Sequence, residues 1–596
     1  MGDPGFRGVT SPPATTAATL FSPGQRVLAV LVVLVAGGGL VLNFRATTTV
    51  VFAGLVVFYL AFALFKVFVT FAGRAHRPLL VGPLPSPDKL PDYAVLLPVH
   101  KEANMLRRLM ARIADLQYPR ERLHVYLLME HDDAETLAAA RALRLRFHGD
   151  GRRPVGPLGH VTVLVVPPGG PKTKPNALNV AVPLLIADGC RYLTVYDAED
   201  RPAPDQLLKA VATFRMARRD IVCLQAELAF WNDDTNWITA LYWIAYKVHF
   251  RRFLPGLTRL GLPIPLGGTS NHFKVDALVE TAIPGGLVWD PHNLTEDADL
   301  GARLARAGYR ADILGSVTLE EAPASRRVVD KQQRRWKGGY VQTGLVHTRR
   351  PLRSAMEMGP HRWFGFILLT LGTPLTFLVN PVFLALTVGY FVSGSDFIAG
   401  LFPTPVYYTA AALFVLGNFI TVYELVQTCL EEGTHTRGRF GLIKYMFAAQ
   451  VMWLWMSRST YIAAFELLVG KRAWHKTPHG HDETDDGIEL PPLPEPVMTR
   501  DRAAGRSEVA ADVAPATPAS RPVVAPIRTV LLEAVAPETI TLPVVLPKQS
   551  PTQPATLQPR GVSVQDPAET TNGSGADGET LACVEAVEPT AVGAKR

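Results

Sequence analysis

Long apolar runs and one long polar block divide the chain. Residues 27–44 (VLAVLVVLVAGGGLVLNF) and 49–71 are apolar, as are 363–392, 405–429 and 444–469. A helix that crosses a bilayer needs roughly 20 mostly apolar residues, so the pattern predicts four to six spans. A cleaved leader is the competing reading of 27–44. Against it, Gly37-Gly38-Gly39 lies inside that run and a second apolar run follows at once. Lys66 falls near the end of the second run, where its amine can reach the polar boundary. The run 363–392 is interrupted by Gly372-Thr373-Pro374 and Asn380-Pro381. It reads either as one tilted span or as an interfacial segment plus a span. Arg458 sits in the middle of 444–469, which fits a span with a buried charge or a helix lying in the interface.

Within the polar block, 73–362, short apolar runs alternate with helical patterns. Strands are predicted at 93–98, 123–129, 161–166, 192–196 and 221–226. Helices are predicted at 104–116, 134–147, 175–187 and 297–307, the first with Met105, Leu106, Leu109, Ile113 and Leu116 at helical spacing. Strand–helix alternation with continuously apolar strands implies an α/β fold, its parallel-dominated sheet covered on both faces. Ligands of such sheets bind beyond the carboxyl ends of the strands.

Composition sharpens this picture at the two ends. Residues 482–596 hold 16 of the 49 prolines, no Phe, Trp or Tyr, and 17 acidic against 9 basic side chains. Such a segment cannot bury enough apolar surface to offset chain entropy, so a disordered tail is expected. The rest of the chain is basic, and its cations flank the apolar runs: Arg7 and Arg26, then Arg74, His76 and Arg77, then Arg349, Arg350, Arg353 and Arg362. Positive flanks favour the cytoplasmic side, which predicts a multi-pass protein of the inner or plasma membrane with a cytoplasmic central block. The expected segments are 1–26, 27–72, 73–362, 363–470 and 471–596. Four cysteines without paired spacing exclude a disulfide scaffold or a zinc site. No nucleic-acid recognition motif is present, so no nucleic-acid partner is expected.

Polar residues at the predicted strand ends are the candidates for chemistry. Glu130-His131-Asp132-Asp133 closes the second strand and Asp197-Ala198-Glu199-Asp200 the fourth. Clustered carboxylates repel one another, and a hard divalent cation is their natural partner. Along an extended segment, alternation would place Asp197 and Glu199 on one side; an exposed acidic turn before a helix is the alternative. Lys172 and Lys174 precede a predicted helix N-terminus, a ready anion site or a plain surface loop. In Thr295-Glu296-Asp297, one carboxylate reads as a general base or as part of a helix cap. Arg335 beside Trp336 suits diphosphate recognition and sugar stacking, or membrane anchoring.

Taken in order, these segments resemble the family 2 glycosyltransferases of the membrane polysaccharide synthase type. Cellulose synthase, the cellulose-synthase-like glucomannan synthases and hyaluronan synthase are of this type. The residues that carry the resemblance are Pro98-Val99-His100-Lys101-Glu102, Asp132-Asp133, Lys174-Pro175-Asn176-Ala177-Leu178-Asn179, Asp197-Ala198-Glu199, Gly267-Gly268-Thr269-Ser270-Asn271, Thr295-Glu296-Asp297, and Gln332 with Arg335-Trp336. They cover roughly residues 50–480. The strings LGGTSNHF (266–273) and KTPHGH (476–481) are similar to a bacterial subgroup called XagB-like, associated with exopolysaccharide synthesis.

The resemblance implies a GT-A-type, Rossmann-like domain embedded in an α-helical polytopic membrane protein. It implies an inverting hexosyltransferase that moves a sugar from a nucleotide-sugar, of the UDP-sugar class by the same resemblance, to a growing polysaccharide. Transfer of a single sugar to a lipid acceptor is the alternative, and a catalytically dead scaffold is a third reading. Donor contacts would come from Pro98, His100, Glu102, Asp132, Asp133, Lys174, Asp197, Gln332 and Arg335. Acceptor contacts would come from Gly268, Thr269, Glu296 and Trp336. Asp297 would be the base, and Asp197 with Glu199 would hold Mg²⁺ or Mn²⁺. The family has Asp where this chain has Glu199, so Asp200 is the other candidate ligand.

Overall fold

The computed structural model describes residues 15–470 apart from 77–78, 80, 150–157, 403 and most of 411–444. The expected span at 405–429 is described only in part. The tail from 471 on, with its KTPHGH string, lies outside the described residues.

Two apolar helices come first, α1 (Pro23–Leu42) and α2 (Phe44–Arg74). The central block then runs β1 (Tyr93–Val99), α3 (Ala103–Ala114), β2 (Leu123–Glu130), α4 (Ala134–Ala142), β3 (Arg146–Phe147), β4 (Val161–Val166), α5 (Lys174–Ala187), β5 (Tyr192–Val195), β6 (Arg201–Pro202), α6 (Gln206–Met216) and β7 (Ile221–Phe230). It continues through α7 (Trp237–Val248), a π-turn (His249–Phe253), α8 (Leu254–Arg259), β8 (Asn271–Lys274), α9 (Val275–Glu280), α10 (Glu296–Arg306) and β9 (Arg310–Glu320). Then follow α11 (Arg326–His347), α12 (Pro351–Met358), α13 (Pro360–Ser393), α14 (Asp396–Ala399) and, beyond the sparsely described stretch, α15 (Tyr445–Leu468).

The strands form one sheet in the order β3-β4-β2-β1-β5-β8-β7-β9-β6. Pairing is parallel from β3 through β5 and between β7 and β9; β8 runs antiparallel to both neighbours. Both faces are covered, as the continuous apolar strands require. In β1, Val95, Leu97 and Val99 join a core containing Met105 and Leu109 of α3, whereas Ala94 and Leu96 join the opposite core containing Leu178 and Leu185 of α5. This is the period of two of a doubly buried strand.

One helix ends earlier than its pattern predicts. The expected 134–147 helix stops at Ala142. Arg144 takes a left-handed φ of 55° and the Leu145 amide closes back on the Ala140 carbonyl at 3.2 Å. This cap buries Leu145 and frees Arg146–Phe147 to pair with β4.

Three of the described helices, α1, α2 and α13, are long and apolar enough to cross a membrane. α13 runs unbroken through Pro374 and Pro381, so the interrupted run is one helix. α15 is a different kind of element: Asp330 of α11 accepts from Arg458 at 3.2 Å and Ser459 at 2.6 Å, and Arg334 pairs with Glu466 at 3.4 Å. The end of α2 locks onto the domain at two glycines. A Cβ on Gly73 would meet the Arg252 carbonyl at 1.8 Å, and one on Gly256 would meet the Val69 carbonyl at 1.9 Å. Only small residues permit so close a crossing.

Candidate active site

The carboxyl end of the sheet gathers segments far apart in sequence. The first is the turn after β5. Residues 197–200 form a hydrogen-bonded turn, with the Asp200 amide 3.2 Å from the Asp197 carbonyl, not the extended run that alternation assumed. Asp200 is fully buried and folds back: its Oδ2 accepts from the Asp197 amide at 2.8 Å and from the Thr269 hydroxyl. Its Oδ1 is buried without a hydrogen-bond partner. Asp197 and Glu199 remain half-buried at the rim.

Acids crowd this turn. Burial first, and then the neighbouring carboxylates, push the Glu199, Asp200 and Glu320 carboxyls well above their ordinary range. Glu102 adds to the repulsion at Glu199. On the positive side, Lys174 at the start of α5 binds Asp197 and donates to the Gly268 carbonyl at 2.7 Å, while Arg112 donates to the Glu199 carbonyl at 2.9 Å. The turn is thus rich in acid and one buried Asp200 oxygen lacks a hydrogen-bond partner, a charge balance that favours a hard divalent ion; among the described residues, however, the ligand atoms that converge within 4.8 Å are those of Glu130, His131 and Asp132.

The second segment is the first turn of α10. Burial raises Asp297 to about 6 and Glu296 to about 8, against the pull of Lys174 and Arg335. A methyl group built on Gly268 would lie 3.5 Å from Asp297 Oδ2 and 3.7 Å from Lys174 Nζ. The glycine turn therefore faces the point where base candidate, lysine and metal candidates converge.

α11 fixes this turn in place. Gln342 Oε1 accepts from the Leu294 amide at 3.0 Å, and Asn293 bridges the Thr295 amide and the Thr343 hydroxyl. At Gly339 a Cβ would sit 2.7 Å from the Thr295 amide nitrogen, so the helix reaches the loop only because no side chain intervenes. A strap from the N-terminal segment buttresses the other side. Asp290 accepts from the Thr16 hydroxyl at 2.9 Å and the Ala17 amide at 2.5 Å.

The other expected residues fall in three groups. Pro98 lies near the end of β1, and His100 and Glu102 flank Lys101 in the turn into α3, where Lys101 has a left-handed φ of 55°. Asp133 holds that loop by accepting from the Lys101 amide at 2.5 Å and lies 3.7 Å from His100. Asp132 stands at the exposed rim, bound to Lys172. Gln332, one turn before Arg335 on α11, has a buried Oε1 without a hydrogen-bond partner. On the acceptor side, Thr269 and Trp336 each have partners within the fold. The Thr269 hydroxyl is 2% exposed and committed to Asp200 and the Val195 carbonyl, so it braces the turn from inside. Trp336 packs into the apolar cluster of Phe230, α7 and α15.

Glu320, Arg112, Gln342 and Thr343 carry no motif and escape a reading of the sequence. Glu320 alone left a signal, as an acid closing a strand that the pattern does not reveal.

Residues 91–339 match the family model described as glycosyltransferase like family 2. Among curated proteins, the chain is 24% identical over 251 residues to probable glucomannan 4-beta-mannosyltransferase 7 of Oryza sativa subsp. japonica, covering 42% of this chain and 40% of that one. It is 25% identical over 260 residues to probable glucomannan 4-beta-mannosyltransferase 1 of Arabidopsis thaliana, covering 42% and 43%. The chain thus spans about two fifths of the length of these relatives. Among solved structures it is similar to a mannosyltransferase from Pyrobaculum calidifontis in complex with GDP-Man and Mn2+, at 19% identity and a TM-score of 0.45, over 70% of this chain and 99% of that one.

Proposed function

We propose that this chain, whose residues 91–339 match the glycosyltransferase like family 2 model, is an inverting membrane hexosyltransferase that extends a polysaccharide from a nucleotide-sugar. The observation that carries this reading is the convergence of Asp197, Lys174, Gly268 and Asp297. Cation site and base candidate thereby face one another across a single glycine turn.

The division of labour follows from charge. Asp197 and Glu199, with Asp200 behind them, would hold a divalent ion, which would supply positive charge against the departing diphosphate. Lys174 and Arg335 add fixed cations to the same region. Asp297 takes the proton of the attacking acceptor hydroxyl, since a carboxylate raised to about 6 is still ionised at neutral pH yet basic enough to accept it. Pro98, His100, Glu102 and Asp133 frame the base and ribose of the donor. Asp132, Gln332, Glu296 and Trp336 complete the pocket.

UDP-sugar is the donor that the resemblance implies, whereas the curated relatives carry mannosyltransferase names. The deciding experiment gives membranes containing the full chain labelled UDP-glucose, UDP-N-acetylglucosamine and GDP-mannose in parallel, and sizes the product. A long product with release of nucleoside diphosphate supports processive synthesis. A single sugar on a lipid supports the non-processive alternative, and no donor turnover overturns the reading.

A further inference from the structure

A second cationic site lies away from the sheet end, where α10, α11, α12 and the N-terminal strap meet. A cavity of about 100 Å³ is lined by Arg306, Arg349, Arg350 and Arg353, with Thr15 and Ser354. It has room for several waters and hence for one phosphate group. Glu357 binds Arg306 at 2.6 Å and Arg353 at 2.7 Å. Arg349 donates to the Thr16 carbonyl at 2.7 Å and to the Thr19 carbonyl. Four guanidinium groups against one carboxylate leave a surplus of positive charge, and the Thr15 hydroxyl in the same cavity is buried without a partner. Guanidinium forks and a hydroxyl donor are the groups that bind phosphate oxygens.

The position of the cavity identifies the source of the phosphate. Thr15 lies eight residues before α1 begins, and Ser354 six residues before α13 begins. Both walls therefore sit beside the entry points of apolar helices. α12 also presents Leu352 and Met356, one turn apart and 80% and 76% exposed, a face suited to the acyl boundary of a bilayer.

We propose that this cavity binds the phosphate of an anionic lipid headgroup at the membrane surface, a role independent of the transfer reaction. The test uses the full chain in maltoside micelles doped with phosphatidylglycerol, phosphatidylcholine or inorganic phosphate. Bound lipid is counted by native mass spectrometry and the thermal midpoint is followed. Wild type is expected to bind phosphatidylglycerol in preference to phosphatidylcholine. The double variant Arg350→Gln/Arg353→Gln is expected to weaken that binding roughly 100-fold, since each of the two charge-assisted bonds is worth about tenfold. Arg218→Gln, which removes an exposed cation elsewhere, is expected to leave it unchanged. Equal binding of the two lipids, or full phosphatidylglycerol binding by the double variant, overturns the proposal. A midpoint rise with inorganic phosphate and none with phosphatidylglycerol overturns the lipid source.

Discussion

The turn after β5 and the first turn of α10 both place buried acids at the same end of the sheet, and their surroundings suit them to different parts of the proposed reaction. Around Asp197–Asp200 the dominant neighbours are other carboxylates, so the region is short of positive charge and suits a metal ion. Around Asp297 the neighbours include Arg335 and Lys174, which hold its carboxyl at about 6 despite burial. Two acid clusters linked through Lys174 and Gly268 suit the proposed cation site and the proposed proton acceptor because each environment sets its own charge balance.

The sharpest way to break this contrast is to remove the cation. Treatment with EDTA, or Asp197→Asn, is expected to abolish nucleoside diphosphate release and to weaken nucleotide binding measured by calorimetry. Retained binding and turnover would show that Lys174 and Arg335 suffice. Next, Asp297→Asn is expected to lower turnover by about 10²–10⁴-fold while leaving donor affinity intact, a split that initial-rate kinetics reads directly.

The pH profile separates the two clusters further. A base raised to about 6 is protonated below that pH and active above it, so the rate should climb through pH 6. It should fall about tenfold for each unit below. The Asp297→Asn variant should lack this limb, and a wild-type profile flat from pH 5 to 8 would contradict the assignment. The smallest effects concern packing. Gly339→Ala drives a methyl into the Thr295 backbone and is expected to cost about 1–3 kcal/mol, read from the thermal midpoint. Gly268→Ala meets only ordinary contacts at 3.5 and 3.7 Å and is expected to keep stability while impairing turnover.

Particular residues show where the sequence was readable. Acids closing apolar strands pointed to Asp133, Asp197 and Glu199 because strand and acid are contiguous. Helix 134–147 was overextended because its terminator, a left-handed Arg144, is not a glycine. The roles of Thr269 and Asp200 were hidden because their mutual hydrogen bond spans 69 residues.

By itself the sequence determined the elements that depend on local period: doubly buried strands, apolar helices and the acids at strand ends. A repeat of two or 3.6 is written into neighbouring residues, and burial follows from it. Only the tertiary structure decided which acids crowd one another, that the Thr269 hydroxyl turns inward, and that α11 reaches Thr295 through Gly339. Those outcomes depend on how distant segments pack. The charge balance that assigns each carboxylate its task exists only once they do.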